Sequence, residues 1–302
     1  MKKSANNVGT LYLVATPIGN LEDMTFRAVR LLKEADAVFC EDTRRTLILL
    51  NHFKIERQSG IDSFHDHSPR NVVHKIKTLL EAGKNVVYVT DGGMPVVSDP
   101  GFVLVRAATE CGAPVNVVPG PSAAVMVFAA SGLPSPKYFF HGFFPRTRGE
   151  VERTMEVVKQ NPVVHIFYEA PGRIESSLEI LNRNIPKSAT VLGRELTKIH
   201  EEYLRGEAAE IFSEIETRGK IKGECVIAVL GGEPEPATVP IVATDEESFA
   251  EQKTVELTPE QQAEISSLIK SGISSKDAAK ELSKKFKVSR RVIYEFIIRR
   301  LT

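Results

Sequence analysis

The 302-residue chain is 42% hydrophobic and 26% charged, close to a globular average, which excludes a fibrous repeat or a fully disordered polymer. Lys plus Arg and Asp plus Glu each number 39, so no net charge draws the whole chain to nucleic acid. The longest apolar run, Ala123–Ala130, is far shorter than the ~20 residues of a membrane-spanning helix.

At roughly 150 residues per domain the length corresponds to about two domains and an appendage. Residues 1–7 carry charge with no apolar core behind it, unlike a signal peptide. A cytoplasmic address with no membrane partner is expected. Cys40, Cys111 and Cys225 are widely separated and form no CxxC or Cys/His cluster. Neither a disulfide framework nor a metal site is expected.

From residue 10 to residue 232, short apolar runs alternate with amphipathic helical patterns, the signature of α/β architecture. Strands are predicted at Thr10–Ala15, Ala37–Cys40, Asn85–Thr90 and Val115–Val118, with helices at Phe26–Lys33, Asn71–Ala82 and Phe102–Cys111. A second set follows, with strands at Tyr138–His141, Val163–Tyr168, Ala189–Gly193 and Glu224–Leu230. Its helices are predicted at Glu150–Gln160, Arg173–Asn184 and Glu207–Thr217. The expected fold is α/β: two tandem α/β domains, 8–120 and 121–232, with a ligand cleft between them.

Residues 233–257 are Pro-rich and hold seven acids and one base, net −6, the composition of a linker. Residues 258–302 hold ten bases and five acids, net +5. Thr258-Pro259-Glu260-Gln261 reads as a helix start, and helices are predicted at Pro259–Ser271, Ser275–Phe286 and Ser289–Arg300. This is a small all-α, helix-turn-helix-like module. Its expected core is Ala278, Ala279, Leu282, Val292, Ile293 and Phe296, and its basic face is Lys284, Lys285, Lys287, Arg290 and Arg291.

Three loops follow predicted strands: Ala15-Thr16-Pro17-Ile18-Gly19-Asn20, Asp91-Gly92-Gly93-Met94-Pro95-Val96-Val97-Ser98-Asp99-Pro100-Gly101 and Pro119-Gly120-Pro121-Ser122-Ala123-Ala124. An open α/β sheet places its ligands at such strand ends. None of the loops matches GxGxxG or GxxxxGK[ST], and no lysine follows the glycines, so phosphate cradling is disfavoured. A ligand held by bare backbone and carrying little negative charge fits better.

These loops resemble the class III methyltransferases of the tetrapyrrole-methylase superfamily. Leu11 to Leu21, Glu41-Asp42-Thr43-Arg44, Ser98-Asp99-Pro100-Gly101, Tyr168-Glu169-Ala170-Pro171 and Arg194-Glu195-Leu196-Thr197-Lys198 narrow the resemblance to the bacterial ribosomal RNA small subunit methyltransferase I family. The likeness implies an S-adenosyl-L-methionine-dependent enzyme that 2′-O-methylates cytidine 1402 of 16S rRNA in the small ribosomal subunit, working as a homodimer. It implies cofactor contacts at Pro17, Asp91, Gly93, Met94, Val97, Ser122, Ala123, Tyr168, Glu169 and Ala170. The family usually has a small polar residue where this chain has Met94, and His where it has Gly172.

Methyl transfer to a ribose hydroxyl needs donor and acceptor aligned, and a cation or base for the developing alkoxide. Glu41, Arg44 and Lys198 are the catalytic candidates. The bland alternatives are an N-cap at Asp42 or Thr43 with solvent-facing arginines, and a solvated lysine. Two rival functions are a ligand-responsive nucleic-acid-binding regulator, for which the basic tail speaks, and a tetrapyrrole methyltransferase.

Overall fold

Residues 8–57, 60–65, 70–99, 101–232 and 257–270, with positions 273, 275–286, 288, 292–293 and 296–297, are described by a computed structural model. Backbone contacts divide the chain into two compact units, 1–236 and 237–302.

In the first unit, β1 (Leu11–Val14), β2 (Ala37–Cys40), β3 (Ile61–Ser63), β4 (Val86–Val89) and β5 (Val115–Val118) form an all-parallel sheet, ordered β3-β2-β4-β1-β5. Central β4 is buried at all four positions, as a strand covered on both faces must be. Its Val86 and Tyr88 pack with Leu11, Leu13 and Phe39 on one face, and its Val87 and Val89 with Val14, Val38 and Cys40 on the other. That is the two-residue period of a pleated strand. Parallel neighbours need crossovers, supplied by α1 (Phe26–Glu34), α2 (Thr43–His52), α3 (Arg70–Glu81) and α4 (Phe102–Glu110). Leu31, Leu32, Leu49 and Leu50 of α1 and α2 cover one face, and Ile76, Leu80 and Leu104 of α3 and α4 the other. Each such buried side chain contributes roughly 1.5–3 kcal/mol.

Helix α5 (Ala123–Ser131) ends at Gly132, which is left-handed at φ +70°, the usual helix stop. The second sheet contains β6 (Tyr138–Phe143), β7 (Val164–Glu169), β8 (Ala189–Arg194), β9 (Glu202–Glu207) and β10 (Cys225–Leu230), ordered β6-β7-β10-β8-β9. Only β6 and β7 pair in parallel; β10 runs against both β7 and β8, and β9 against β8. Helices α6 (Arg148–Gln160), α7 (Ile174–Asn184) and α8 (Ala208–Arg218) bury Met155, Val158, Leu178, Leu181, Ile211 and Ile215 on one face. Ala124 and Val127 of α5 pack with Ile166, Val191 and Val226 on the other.

In the second unit, α9 (Pro259–Lys270) and α10 (Ser275–Phe286) enclose Leu257, Ile265, Ala278, Ala279, Leu282, Val288, Ile293 and Ile297. Thr258 and Gln261 exchange the reciprocal cap bonds expected of them. Most of the predicted helix Ser289–Arg300 lies outside the described residues, as do the side chains of Lys284, Lys287, Arg290 and Arg291. Lys285 is paired with Glu264. Among the described residues no helix is long and apolar enough to cross a membrane.

The predicted elements in the described regions agree with the structure to within two residues. Three elements were not foreseen, α5, β3 and β9, while α2 starts at the alternative N-cap, Asp42. Helix α5 is one unbroken apolar run, so it carries no amphipathic period. β9 (Glu-Tyr-Leu-Arg-Gly-Glu) is an edge strand with no apolar stretch.

Candidate active site

Parallel β4, β1 and β5 lie side by side, so the three loops that follow them emerge on one side of the sheet. Thr16 and Gly93 join two of these loops by a pair of backbone bonds, N to O in both directions, at 3.1 and 2.9 Å. Gly93 has φ +87°, which L side chains rarely adopt, and a Cβ there would stand 3.4 Å from the Ile18 side chain. A Cβ on Gly120 would approach the Ala15 Cβ to 2.6 Å. Glycine at these two positions lets the loops close on one another.

The loops form one wall of a cavity of about 680 Å³, and the end of β7, the segment after β8 and the start of β10 form the other. The volume suits a small-molecule site, ~300–1,000 Å³. Pro17, Asp91, Gly93, Met94, Val97, Ser122, Ala123, Tyr168, Glu169 and Ala170 all line it, and so does Lys198. The structure thus brings together every predicted cofactor contact and one predicted catalytic residue.

Glu41 and Arg44 are placed differently. Glu41 stands behind the wall, where its Oε2 accepts the Asp91 backbone amide at 3.3 Å. Asp42 caps α2 by accepting the Arg44 amide at 2.8 Å, and the Arg44 guanidinium folds back onto the same carboxylate at 2.6 Å. That bidentate grip holds Asp42 down at about 2 and leaves the Arg44 side chain 87% exposed, outside the cavity lining. Arg45 lines the cavity in its stead, with Nε 3.5 Å from Asp91 Oδ2.

Lys198 sits in a strap between β8 and β9, with Nζ 2.7 Å from Glu195 Oε1 and 3.1 Å from Glu224 Oε2. Burial acts to lower its pKa, but the two carboxylates outweigh it and hold the pKa above the ordinary lysine value. Lys198 is therefore a fixed cation in the wall. Burial pushes the Tyr168 hydroxyl up, outweighing the Ala124 amide and Ser122 hydroxyl beside it, so it stays a neutral phenol.

Glu169 forms part of the lining, yet its side chain is only 1% exposed and its carboxylate is engaged inside the protein. It accepts the Ala170 amide at 2.7 Å and the Ser177 hydroxyl at 2.6 Å, and pairs with Arg173 at 3.4 Å. Arg173 also donates to the Pro145 carbonyl at 3.0 Å. Glu169 thus anchors the Tyr168–Ala170 wall. Asp99 does the same for the second loop, accepting the Val96 and Gly101 amides at 2.6 and 2.7 Å. Val96 and Ser98 there have φ of +75° and +64°, strain that only a tied loop sustains.

Thr16, Ile18 and Gly19 of the first loop also line the cavity, whereas the sequence did not point to Ile48, Phe143, Glu224 or Cys225 as lining residues. Glu224 and Cys225 reach the site because β10 is antiparallel, so its start lies beside the ends of β7 and β8. Burial pushes the Cys225 thiol up to about 12, which makes it an inert wall group. Among the described residues no group of three His, Cys, Asp or Glu is placed to hold a metal ion.

The family described as Tetrapyrrole (Corrin/Porphyrin) Methylases matches residues 10–211. A Streptococcus pyogenes protein named ribosomal RNA small subunit methyltransferase I is 39% identical over 97% of this chain and 96% of its own. The Bacillus subtilis protein of that name is 37% identical over 96% and 94%. The one from Thermotoga maritima is 40% identical, covering 75% of this chain and 100% of its own. Among solved structures, cobalt precorrin-4 methyltransferase is similar at a TM-score of 0.55 with 18% identity, covering 72% of this chain and 94% of its own. A diphthine synthase is similar at 0.55 with 14% identity, covering 74% and 89%. At such identities these two share the fold. With its match to the family over two thirds of its length and relatives near 40% identity along almost all of it, this chain belongs to the ribosomal RNA small subunit methyltransferase I family of tetrapyrrole-methylase-type methyltransferases.

Proposed function

We propose that the protein transfers a methyl group from S-adenosyl-L-methionine to the ribose 2′-hydroxyl of cytidine 1402 in 16S rRNA of the small ribosomal subunit. One observation carries the reading: a single cavity has bare backbone and apolar side chains on one wall and the fixed Lys198 ammonium on the other. Its donor set suits the cofactor. Asp91 and Glu224 offer carboxylates to a cationic ligand, while Ile18, Leu21, Met94, Leu196 and Val226 offer an apolar lining to its nucleoside. Met94 contributes as an apolar wall and through its backbone, without the hydroxyl usual in the family.

When bound, the cofactor supplies a methyl group already activated by its sulfonium. The protein must then exclude water and stabilise negative charge as it develops on the ribose oxygen. Lys198 supplies the positive charge that does so. Its raised pKa fits a fixed cation and rules it out as a general base near neutrality. Glu41 acts at one remove by holding Asp91, and the arginine of the site is Arg45 rather than Arg44. The basic residues of 258–302 grip rRNA phosphates, and the enzyme is a homodimer, for which Tyr138 and Phe139, exposed on edge strand β6, offer an apolar face.

The test is transfer from labelled S-adenosyl-L-methionine to small subunits lacking the modification, to DNA, or to precorrins, followed by mapping of the 2′-O-methyl group. Label at cytidine 1402 is expected. Transfer to precorrins alone would make this a tetrapyrrole enzyme, and DNA binding without transfer to any acceptor would favour the regulator.

A further inference from the structure

Phe143 ends β6, the edge strand of the second sheet, and its ring lines the cavity while the residue stays 57% exposed. Isolated exposed apolar residues are common, but this one belongs to the wall of the site. It is buttressed edge-on by Tyr168, centroids 5.8 Å apart at 73°, so the ring is supported from within and open outward. Ile48 of α2 lines the same cavity from the first sheet and is 66% exposed. Arg45, also in the lining, presents a largely exposed guanidinium, and Arg44 precedes it on α2.

An open aromatic face beside guanidinium groups is the chemistry that binds single-stranded nucleic acid: bases stack on the ring and phosphates pair with the cations. A ribose hydroxyl reaches a group inside a cavity only if its nucleotide leaves the helical stack, and the freed base then needs a new stacking partner. We infer that Phe143 is this partner, stacking on the base of the acceptor nucleotide, with Ile48 against the base from the α2 side and Arg45 on a flanking phosphate. The inference rests on the rRNA reading above and adds to it the residues that hold the base.

Phe143→Ala and Phe143→Leu remove the ring, the second keeping apolar bulk, while Phe143→Trp and Phe143→Tyr keep an aromatic face. Each is assayed for KM and kcat with small subunits, for S-adenosyl-L-methionine affinity by calorimetry, and for mass by sedimentation. Loss of one stacking contact predicts a rise in subunit KM of about tenfold or more in the Ala and Leu variants. The aromatic variants should stay close to wild type, and cofactor affinity and mass should not change. Unchanged KM in both the Ala and Leu variants overturns the inference. So does a loss that follows cofactor affinity, which gives the ring to the cofactor, or a loss that follows mass, which gives it to a second copy of the chain. The ring is half in solvent, so the Leu variant is expected to fold and to decide the matter if the Ala variant does not. Wild-type enzyme that transfers methyl to no RNA overturns the rRNA reading and this inference together, before any variant is made.

Discussion

The Asp91 carboxylate accepts the backbone amide of Asp42 at 3.0 Å, tying the loop after β4 to the start of α2. Its other oxygen meets Arg45, and its own amide is held by Glu41. One side chain thus fixes the helix that carries Arg45 and Ile48 while standing in the cavity wall. Asp91→Ala should lower cofactor affinity at least tenfold and also lower the melting temperature, since a hydrogen bond to a charged group is worth roughly 1.5–3 kcal/mol. Glu41→Gln, which keeps an acceptor behind Asp91, should do much less of either. Calorimetry and thermal melts on the pair check this, and equal losses in both variants would contradict it.

Lys198 tests the charge assigned to the second wall. Lys198→Met keeps the stem that packs on Gly19 and removes the ammonium. Methyl transfer should fall by roughly 10²–10⁴-fold, the range for one group acting on a developing charge, with cofactor affinity little changed. The Lys198 pKa is raised above the ordinary 10.5. Its ion pairs therefore contribute stability that is complete below about pH 10.5 and is lost as pH rises through the still higher folded value. A pH–rate profile should show no loss attributable to Lys198 between pH 7 and 9.

How far the site was legible follows from these two residues. Asp91 stands one residue beyond an all-apolar strand, Val86–Val89, and beside a Gly-Gly pair, and both signals are local. Lys198 was found only through a family motif, because its strap follows a strand in a mixed sheet. Period-two patterning says which face a residue takes, but not which way the strand runs. For the same reason Glu224 and Cys225 were missed: only the antiparallel course of β10 brings its start to the cavity. Spacing alone did not place Arg44, because a guanidinium two residues from Asp42 can either fold back onto the capping carboxylate or reach out, and the structure folds it back. The edge strand β9 has no apolar pattern to find.

Gly93 tests the first wall. Gly93→Val places a β-branched residue at φ +87° with its Cβ 3.4 Å from the Ile18 side chain. The strain is of order 1–3 kcal/mol, and the Thr16–Gly93 bridge should open. Cofactor binding should be lost to calorimetry while the far-ultraviolet circular dichroism of the fold persists. Full affinity in this variant would remove the loop from the site.

His165 is buried and His141 half-buried, and the two form a stacked pair whose facing nitrogens are 2.8 Å apart. The Asn161 carbonyl can only accept, so His165 Nε2 carries its proton and His165 Nδ1 accepts from His141. Burial first, and the facing ring second, lower His141 to about 4; burial also lowers His165. Both are neutral when folded, so stability is full above the ordinary histidine value of 6.5 and falls as pH drops below it toward 4. Denaturant midpoints should decline over that window. The decline should be smaller in His141→Phe, and an equal slope in wild type and variant would contradict it.

On the proposed reading the C-terminal unit serves the acceptor rather than the cofactor. The Thermotoga relative is matched over its whole length by 226 residues, 75% of this chain, so a family member is complete without a counterpart of the remaining quarter. Residues 258–302 carry a net charge of +5. Each phosphate contact releases a counterion and adds roughly 0.7–0.9 to the slope of log affinity against log salt. Truncation after Gly232 should leave S-adenosyl-L-methionine binding intact, since among the described residues every lining residue precedes that point. It should weaken binding to small subunits at low salt and flatten the salt slope by about one unit for each contact removed. Comparing full-length and truncated protein on small subunits from 50 to 200 mM salt (roughly the range over which such contacts are lost) separates the possibilities. A parallel pair of lines with equal affinity would mean that the basic unit does not grip RNA.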